Sequence, residues 1–153
     1  EGGRANDVLF GEEGNDQLKG GDGNDICRGG QGQDQFWGDY GADVLRMGSD
    51  SHQDIIYYSD YRQSINTDNK WSSLGTDIIY EFDAADDIVD LTGFTTNLDL
   101  VDECILIQQE GTSATVYIDP WFDDLMYYHD NSYATKLIFA QLDGDLSSAN
   151  FLI

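Results

Sequence analysis

The chain has 153 residues, with seven Lys and Arg set against thirty Asp and Glu, a formal net charge of −23 and a pI near 4.1. A charge of that size argues against a nucleic-acid partner and against an anionic membrane surface, because both repel it. An apolar content of 40% with 12% aromatics is enough for a packed core, so this is no disordered acidic tail, and no run of 18 apolar residues exists to span a membrane. Of the thirty acids, 24 are Asp and six are Glu. Helices prefer the reverse balance, whereas Asp is a turn residue and a hard-cation ligand. The length suits one ordinary domain or two fused sub-modules. Starting at Glu1, with no Met and no signal-like segment, the sequence reads as a piece of a longer protein.

Thirteen of the seventeen glycines lie in the first 48 residues, and cutting every nine residues from Gly2 gives five repeats, which begin at Gly2, Gly11, Gly20, Gly29 and Gly38. Position six is Asp in each (Asp7, Asp16, Asp25, Asp34, Asp43), and position eight is apolar (Leu9, Leu18, Cys27, Phe36, Leu45). A flexible Gly/Asp linker does not hold an apolar residue in phase with an Asp. The pattern resembles the G-G-x-G-x-D-x-U-x nonapeptide of RTX proteins, whose repeats bind calcium in a parallel β-roll. Each position then has a physical reason. Positions seven to nine form a short strand with side chains pointing out, in and out, so only position eight must be apolar. Positions one to six turn the chain, and glycine supplies angles that other residues resist. Two repeats make one right-handed coil, which stacks Asp7 with Asp25 and Asp43, and Asp16 with Asp34. Stacked carboxylates repel unless a divalent cation separates them, and Ca²⁺ accepts six to eight oxygens, backbone carbonyls included.

The resemblance implies ligands from two stacked loops, carbonyls of positions two and four with the Asp of the earlier loop, and carbonyls of positions one and three with the Asp of the later. Carried over, one site is Gly3, Ala5, Asp7, Gly20, Asp22 and Asp25. A second is Glu12, Gly14, Asp16, Gly29, Gln31 and Asp34, and a third is Gly21, Gly23, Asp25, Gly38, Tyr40 and Asp43. Ala5 replaces a position-four glycine, and Glu12 and Asp39 replace position-two glycines. A frayed sixth repeat, Ser49–Tyr57, keeps Asp54 and an apolar strand, sits two residues out of register and is read as having lost its glycines. It offers Asp54 to a fourth site with Gly30, Gly32 and Asp34. Asp77 is a further candidate ligand, and about three to four Ca²⁺ are expected in all.

Beyond residue 58 the repeat stops. Residues 59–76 look like a long loop. Strand-like runs follow at 78–82, 88–91, 104–108, 114–118 and 136–142, separated by turn signals at Asp83–Asp87, Glu110-Gly111, Asp119-Pro120 and Asp143-Gly144. No window carries a sustained helical period. The expected fold is all-β: a right-handed parallel β-roll over residues 2–58 that continues into a β-sandwich-like C-terminal cap over 59–153, one body in two parts. Asp77-x-Ile79-x-x-Phe82 with Asp87-x-x-Asp90-Leu91 resembles the segment that closes RTX rolls in serralysin-type proteins. Ser59-Asp60-Tyr61-Arg62 and Leu142-Asp143-Gly144-Asp145-Leu146-Ser147-Ser148-Ala149-Asn150-Phe151 are closer to the R-modules of secreted alginate (mannuronan) C5-epimerases. That likeness covers nearly the whole chain.

Catalytic sets are absent from the sequence. His52 and His129 have no zinc spacing, Asp pairs such as Asp86-Asp87 and Asp123-Asp124 are expected by chance among 24 Asp, and no nucleophile triad can be assembled. Cys27 and Cys104 read as two buried thiols, with a disulfide as the alternative. Trp37, Tyr40, Tyr61, Trp71, Trp121, Phe122, Tyr127, Tyr128 and Tyr133 are either core residues or a sugar-stacking platform. Position nine faces outward, which puts Phe10, Arg28 and Arg46 on one sheet and Lys19 and Trp37 on the other. Arg28 and Arg46 are then about 5 Å apart on adjacent strands, neutralised either by neighbouring acids or by polyuronate carboxylates. Two functions remain. One is a non-catalytic calcium-binding module of a secreted, extracellular alginate-modifying enzyme, monomeric, attached to a catalytic domain and assisting alginate binding. The other is a structural, calcium-folded tail of an exported protease, lipase or adhesin.

Overall fold

The structure, a computed structural model, describes residues 1–58, 76–93, 105–118 and 135–152. Six strands come from the repeats: β1 (Val8–Glu13), β2 (Gln17–Asp22), β3 (Ile26–Gln31), β4 (Gln35–Tyr40), β5 (Val44–Arg46) and β6 (Ile55–Tyr57). They are followed by β7 (Asp77–Tyr80), β8 (Ile88–Asp90), β9 (Ile105–Glu110), β10 (Ser113–Ile118), β11 (Thr135–Ala140) and β12 (Phe151–Leu152). Through β8 the chain alternates between two sheets, one ordered β1-β3-β5-β7-β11-β10-β9 and the other β12-β8-β6-β4-β2. The stack is parallel and in repeat register, Leu9 beside Cys27 beside Leu45 in one sheet and Leu18 beside Phe36 beside Ile56 in the other. This is a parallel β-roll.

Position eight is where the core lies. Leu18, Cys27, Phe36, Leu45 and Ile56 are buried between the sheets, and Leu9 on the outermost coil is partly covered. The stack continues past residue 58 on the same rule, because Ile79 of β7 pairs with Leu45 and Val89 of β8 pairs with Ile56. From there the core passes without a break to Phe82, Val116, Leu137, Phe139 and Phe151. In the seven-stranded sheet parallel pairing ends at β11, which takes β7 on one side and the antiparallel β10–β9 hairpin on the other. Gln109 fastens the closing segment. Its Nε2 donates to the carbonyls of Gly111 and Gly144 and to Asp145 Oδ1, while its Oε1 accepts the Leu146 N–H. A 3-10 turn at Ser148–Asn150 brings Asn150 Nδ2 onto the carbonyls of Ala84 and Asp87. Among the described residues no helix is long and apolar enough to cross a membrane.

The frayed repeat begins earlier than its sequence suggests. Met47 receives the Gly30 N–H on its carbonyl at 3.2 Å, and Gly48 has a left-handed φ of +136° with the Gly30 carbonyl beside its Cα. Gly48 is therefore the position-two glycine, retained, and the two extra residues lie between it and Asp54.

Candidate metal centre

The repeat aspartates form two hydrogen-bonded ladders. The peptide N–H of Asp7 donates to Asp25 Oδ1, that of Asp25 to Asp43, and that of Asp43 to Asp77, each at 2.8 Å. On the other edge Asp16 donates to Asp34 at 2.9 Å, Asp34 to Asp54 at 2.8 Å and Asp54 to Asp87 at 2.9 Å. Three of these rungs, to Asp54, Asp77 and Asp87, reach beyond the five regular repeats. Asp87 is the residue that sequence reasoning passed over, taking Asp86-Asp87 for a chance pair. Its signal was present in Asp87-Ile88-Val89, the same Asp-apolar spacing as Asp54-Ile55-Ile56.

Only one oxygen of each carboxylate is used in the ladder. The Oδ2 atoms of Asp16, Asp25, Asp34 and Asp43 are buried and have no hydrogen-bond partner. Leaving a charged oxygen so is costly unless something cationic meets it. Burial accordingly raises the pKa of Asp25 and Asp34. Burial, with the Asp77 carboxylate adding to it, pushes Asp43 up to about 8, and burial with the Asp87 carboxylate pushes Asp54 up to about 8. Asp87 rises to about 6, again through burial, with the N–H groups of Asp54 and Asp83 opposing. The ladder ends differ, since their second oxygens have protein donors. Tyr58 OH donates to Asp77 Oδ2 at 2.7 Å, and the Asp83 N–H donates to Asp87 Oδ2 at 2.8 Å.

Main-chain oxygens gather at the same places. A β-carbon added to Gly2 would lie 2.6 Å from the Gly20 carbonyl oxygen and 2.8 Å from Asp7 Oδ2. On Gly11 it would lie 2.6 Å from the Gly29 carbonyl and 3.0 Å from Asp16 Oδ2. Gly20 has Asp25 Oδ2 and the Gly38 carbonyl beside it in the same way, and Gly29 has Asp34 Oδ2 and the Met47 carbonyl. The carbonyls of Gly3, Ala5, Glu12 and Gly14 point at Gly21, Gly23, Gly30 and Gly32 of the following coil. Those of Gln31 and Tyr40 accept the N–H groups of Gly14 and Gly23, each at 2.8 Å, and that of Gly3 accepts the Asp22 N–H. A carbonyl oxygen keeps a second lone pair for a cation after one such bond. Glu12 and Asp39 hold left-handed φ values of 75° and 66° at position two, so the turn imposes its shape even without glycine.

Among the described residues no three His, Cys, Asp or Glu side chains gather closely enough to hold a metal ion by themselves. A cation here draws on paired carboxylates and backbone carbonyls, an all-oxygen set that suits Ca²⁺ and not a softer metal. The model for the RTX calcium-binding nonapeptide repeat matches residues 1–36 and 28–51. The first third of this chain is an array of RTX calcium-binding repeats. Calcium, when bound, supplies the positive charge that the buried oxygens lack, while the protein contributes the spacing. Among solved structures, the AlgE6R2 subunit of the mannuronan C5-epimerase of Azotobacter vinelandii matches with a TM-score of 0.66 and 21% identity, over 99% of this chain and 90% of that one. The AlgE6R3 subunit of the same enzyme gives a TM-score of 0.49 and 21% identity, over 97% and 78%. No curated protein sequence matches. The fold of this chain is thus that of an R-module β-roll.

Position nine does form rows on the outer faces. Arg28 is paired with Arg46 across β3 and β5, Phe10 flanks the first and Tyr80 the second. Arg28 lies over the Phe10 ring, 5.3 Å from its centroid, and Arg46 over Tyr80 at 4.4 Å, with Glu81 3.6 Å from the Arg46 guanidinium. On the other sheet Lys19 sits 4.6 Å over Trp37, which is itself stacked on Tyr57 with centroids 4.6 Å apart. Ring faces in that stack are turned toward neighbours along the sheet. Cys27 is a buried free thiol whose pKa burial raises to about 12. Cys104, His129 and the aromatics Tyr61, Trp71, Trp121, Phe122, Tyr127, Tyr128 and Tyr133 lie outside the described residues, as do the long loop and the Asp119-Pro120 bend.

Proposed function

We propose that this chain is a non-catalytic, calcium-folded module of a secreted, extracellular alginate-modifying enzyme, and that it assists the binding of alginate. Residues 2–58 are read as the roll and 59–153 as its β-rich cap. Three to four Ca²⁺ ions would occupy the stacked loop pairs Asp7/Asp25, Asp16/Asp34, Asp25/Asp43 and Asp34/Asp54. The observation that carries the calcium reading is the set of four buried, unpartnered Oδ2 atoms, each beside a backbone carbonyl or glycine of its own loop pair. For the polymer, the support is the fold shared with a subunit of a mannuronan C5-epimerase and the register-paired Arg28 and Arg46 on an outer sheet face. A polyuronate is a row of carboxylates, and guanidinium groups bind carboxylates in a planar fork.

The structural-tail reading has its own support, because Arg46 already has Glu81 and both arginines already lie on aromatic rings. Titration of the calcium-loaded domain with alginate oligomers, followed by NMR, separates the two. Binding should be weak, roughly 10⁻⁴ M or poorer, because the domain carries −23 overall. It should fade with salt, which screens exposed charges over about 8 Å at physiological ionic strength. Arg28→Ala with Arg46→Ala should abolish the shifts and leave calcium-driven folding intact. No shift at millimolar oligomer would leave the structural tail as the function.

A further inference from the structure

The last loop of the regular stack departs from the others at one atom. In the regular coils the N–H of a position-four glycine is met by the position-three carbonyl of the next coil, Gly14 by Gln31 and Gly23 by Tyr40, each at 2.8 Å. The next glycine of the series, Gly32, donates instead to a side chain, Asp50 Oδ2, also at 2.8 Å. Two residues are inserted between Gly48 and Asp54, and the Asp50 side chain takes the place that a main-chain carbonyl has in the other coils. The other Asp50 oxygen accepts the His52 N–H at 2.8 Å and lies 3.2 Å from His52 Nδ1.

We propose that Asp50 substitutes for a backbone carbonyl in a fourth cation site, with Asp34, Asp54 and the carbonyls of Gly30, Gly32 and Met47, and that this site binds Ca²⁺ most tightly. Asp34 is 1% exposed, and its Oδ2 has no partner and sits with the Met47 carbonyl beside Gly29. Asp54 is 3% exposed and closes the rung with Asp34. The regular loop pairs offer two carboxylates each, and here Asp50 adds a third at a carbonyl's place. The three do not gather into one side-chain cluster without the metal, and the Asp50 charge reaches both buried partners, adding to the upward shift of each. Calcium affinity in oxygen sites rises with the number of charged ligands. A repeat that looks eroded in sequence is on this view the most acidic site of the array.

The inference rests on the calcium reading of the repeats, and calorimetric titration with Ca²⁺ distinguishes failure of one from failure of the other. Wild type should take up one ion at least tenfold more tightly than the rest. Asp50→Asn keeps an oxygen for the Gly32 N–H but removes the charge, so that tight class should weaken by tenfold or more while the other ions bind as before. Glu110→Gln, at an exposed position at the end of β9, makes the same change in net charge and should alter nothing. No uptake by wild type would overturn the calcium reading itself. Uptake that is identical in Asp50→Asn would overturn only the role of Asp50. Should the variant not fold, the Gly32 amide in wild type decides: its NMR signal should move with the first equivalent of Ca²⁺, and movement only with later equivalents contradicts the proposal.

Discussion

Tyr58 and Asp83 give the second carboxylate oxygens of the last rungs the protein donors that the inner ones lack. The Tyr58 hydroxyl gives Asp77 Oδ2 a donor in a site that is buried, so Tyr58→Phe should destabilise the domain by about 1–3 kcal/mol, even in saturating calcium, as read by chemical denaturation. Asp25 belongs to two loop pairs, taking the Asp7 N–H and giving its own to Asp43. Asp25→Ala should therefore raise the calcium needed for folding far more than Glu110→Ala, and equal effects would refute the register. The pH response has a defined sign. Asp43 and Asp54 have folded pKa values near 8 against an ordinary 3.8. Without metal they contribute stability that is full below pH 3.8 and is lost as pH rises through about 8. In chelator, whatever fold persists should melt at higher temperature as pH falls from 8 to 6. In calcium the order should reverse, because ligand carboxylates must be deprotonated. Thermal melts at a series of pH values in both media test this.

At the scale of strands, the period of nine was enough to read β1 to β5, and β6 was legible from its Asp-apolar pattern two residues out of register. Each repeat combines a turn residue, an Asp and an inward apolar residue, and those local requirements recur without interruption. β7 and β8 obey the same rule but are separated from Asp43 and Asp54 by 34 and 33 residues instead of 18, so no period announces them. The insertion before Asp54 hid Met47 and Gly48 for a similar reason, because strict counting fails on a loop of different length. The ladder aspartates were legible, and the carbonyls opposite them followed only from the resemblance. The cation–aromatic pairs of Arg28 and Arg46 depend on which strands are neighbours, which spacing of 18 did supply for Phe10 but not for Tyr80 on β7. Gln109, whose four hydrogen bonds fix the closing segment, carries no sequence signal at all. Gln109→Ala should loosen residues 144–146, seen as faster amide exchange at Leu146, and leave the ladder amides of Asp25 and Asp34 protected.

For the whole molecule, the charge of −23 sets the terms of folding. Three or four Ca²⁺ would offset about six to eight units of it. Chelation should unfold at least residues 2–58, and an unchanged circular dichroism spectrum and unchanged hydrogen exchange in excess chelator would show that the roll is not calcium-dependent. The ladders also give the molecule a sense of direction. Every rung oxygen reaches back to the aspartate one coil earlier in the chain, so each coil is held by a coil that follows it. Synthesis proceeds the other way. The repeats leave the ribosome before Asp77 and Asp87 exist to receive Asp43 and Asp54, and so the last rung of each ladder closes only after the chain beyond the repeats has followed.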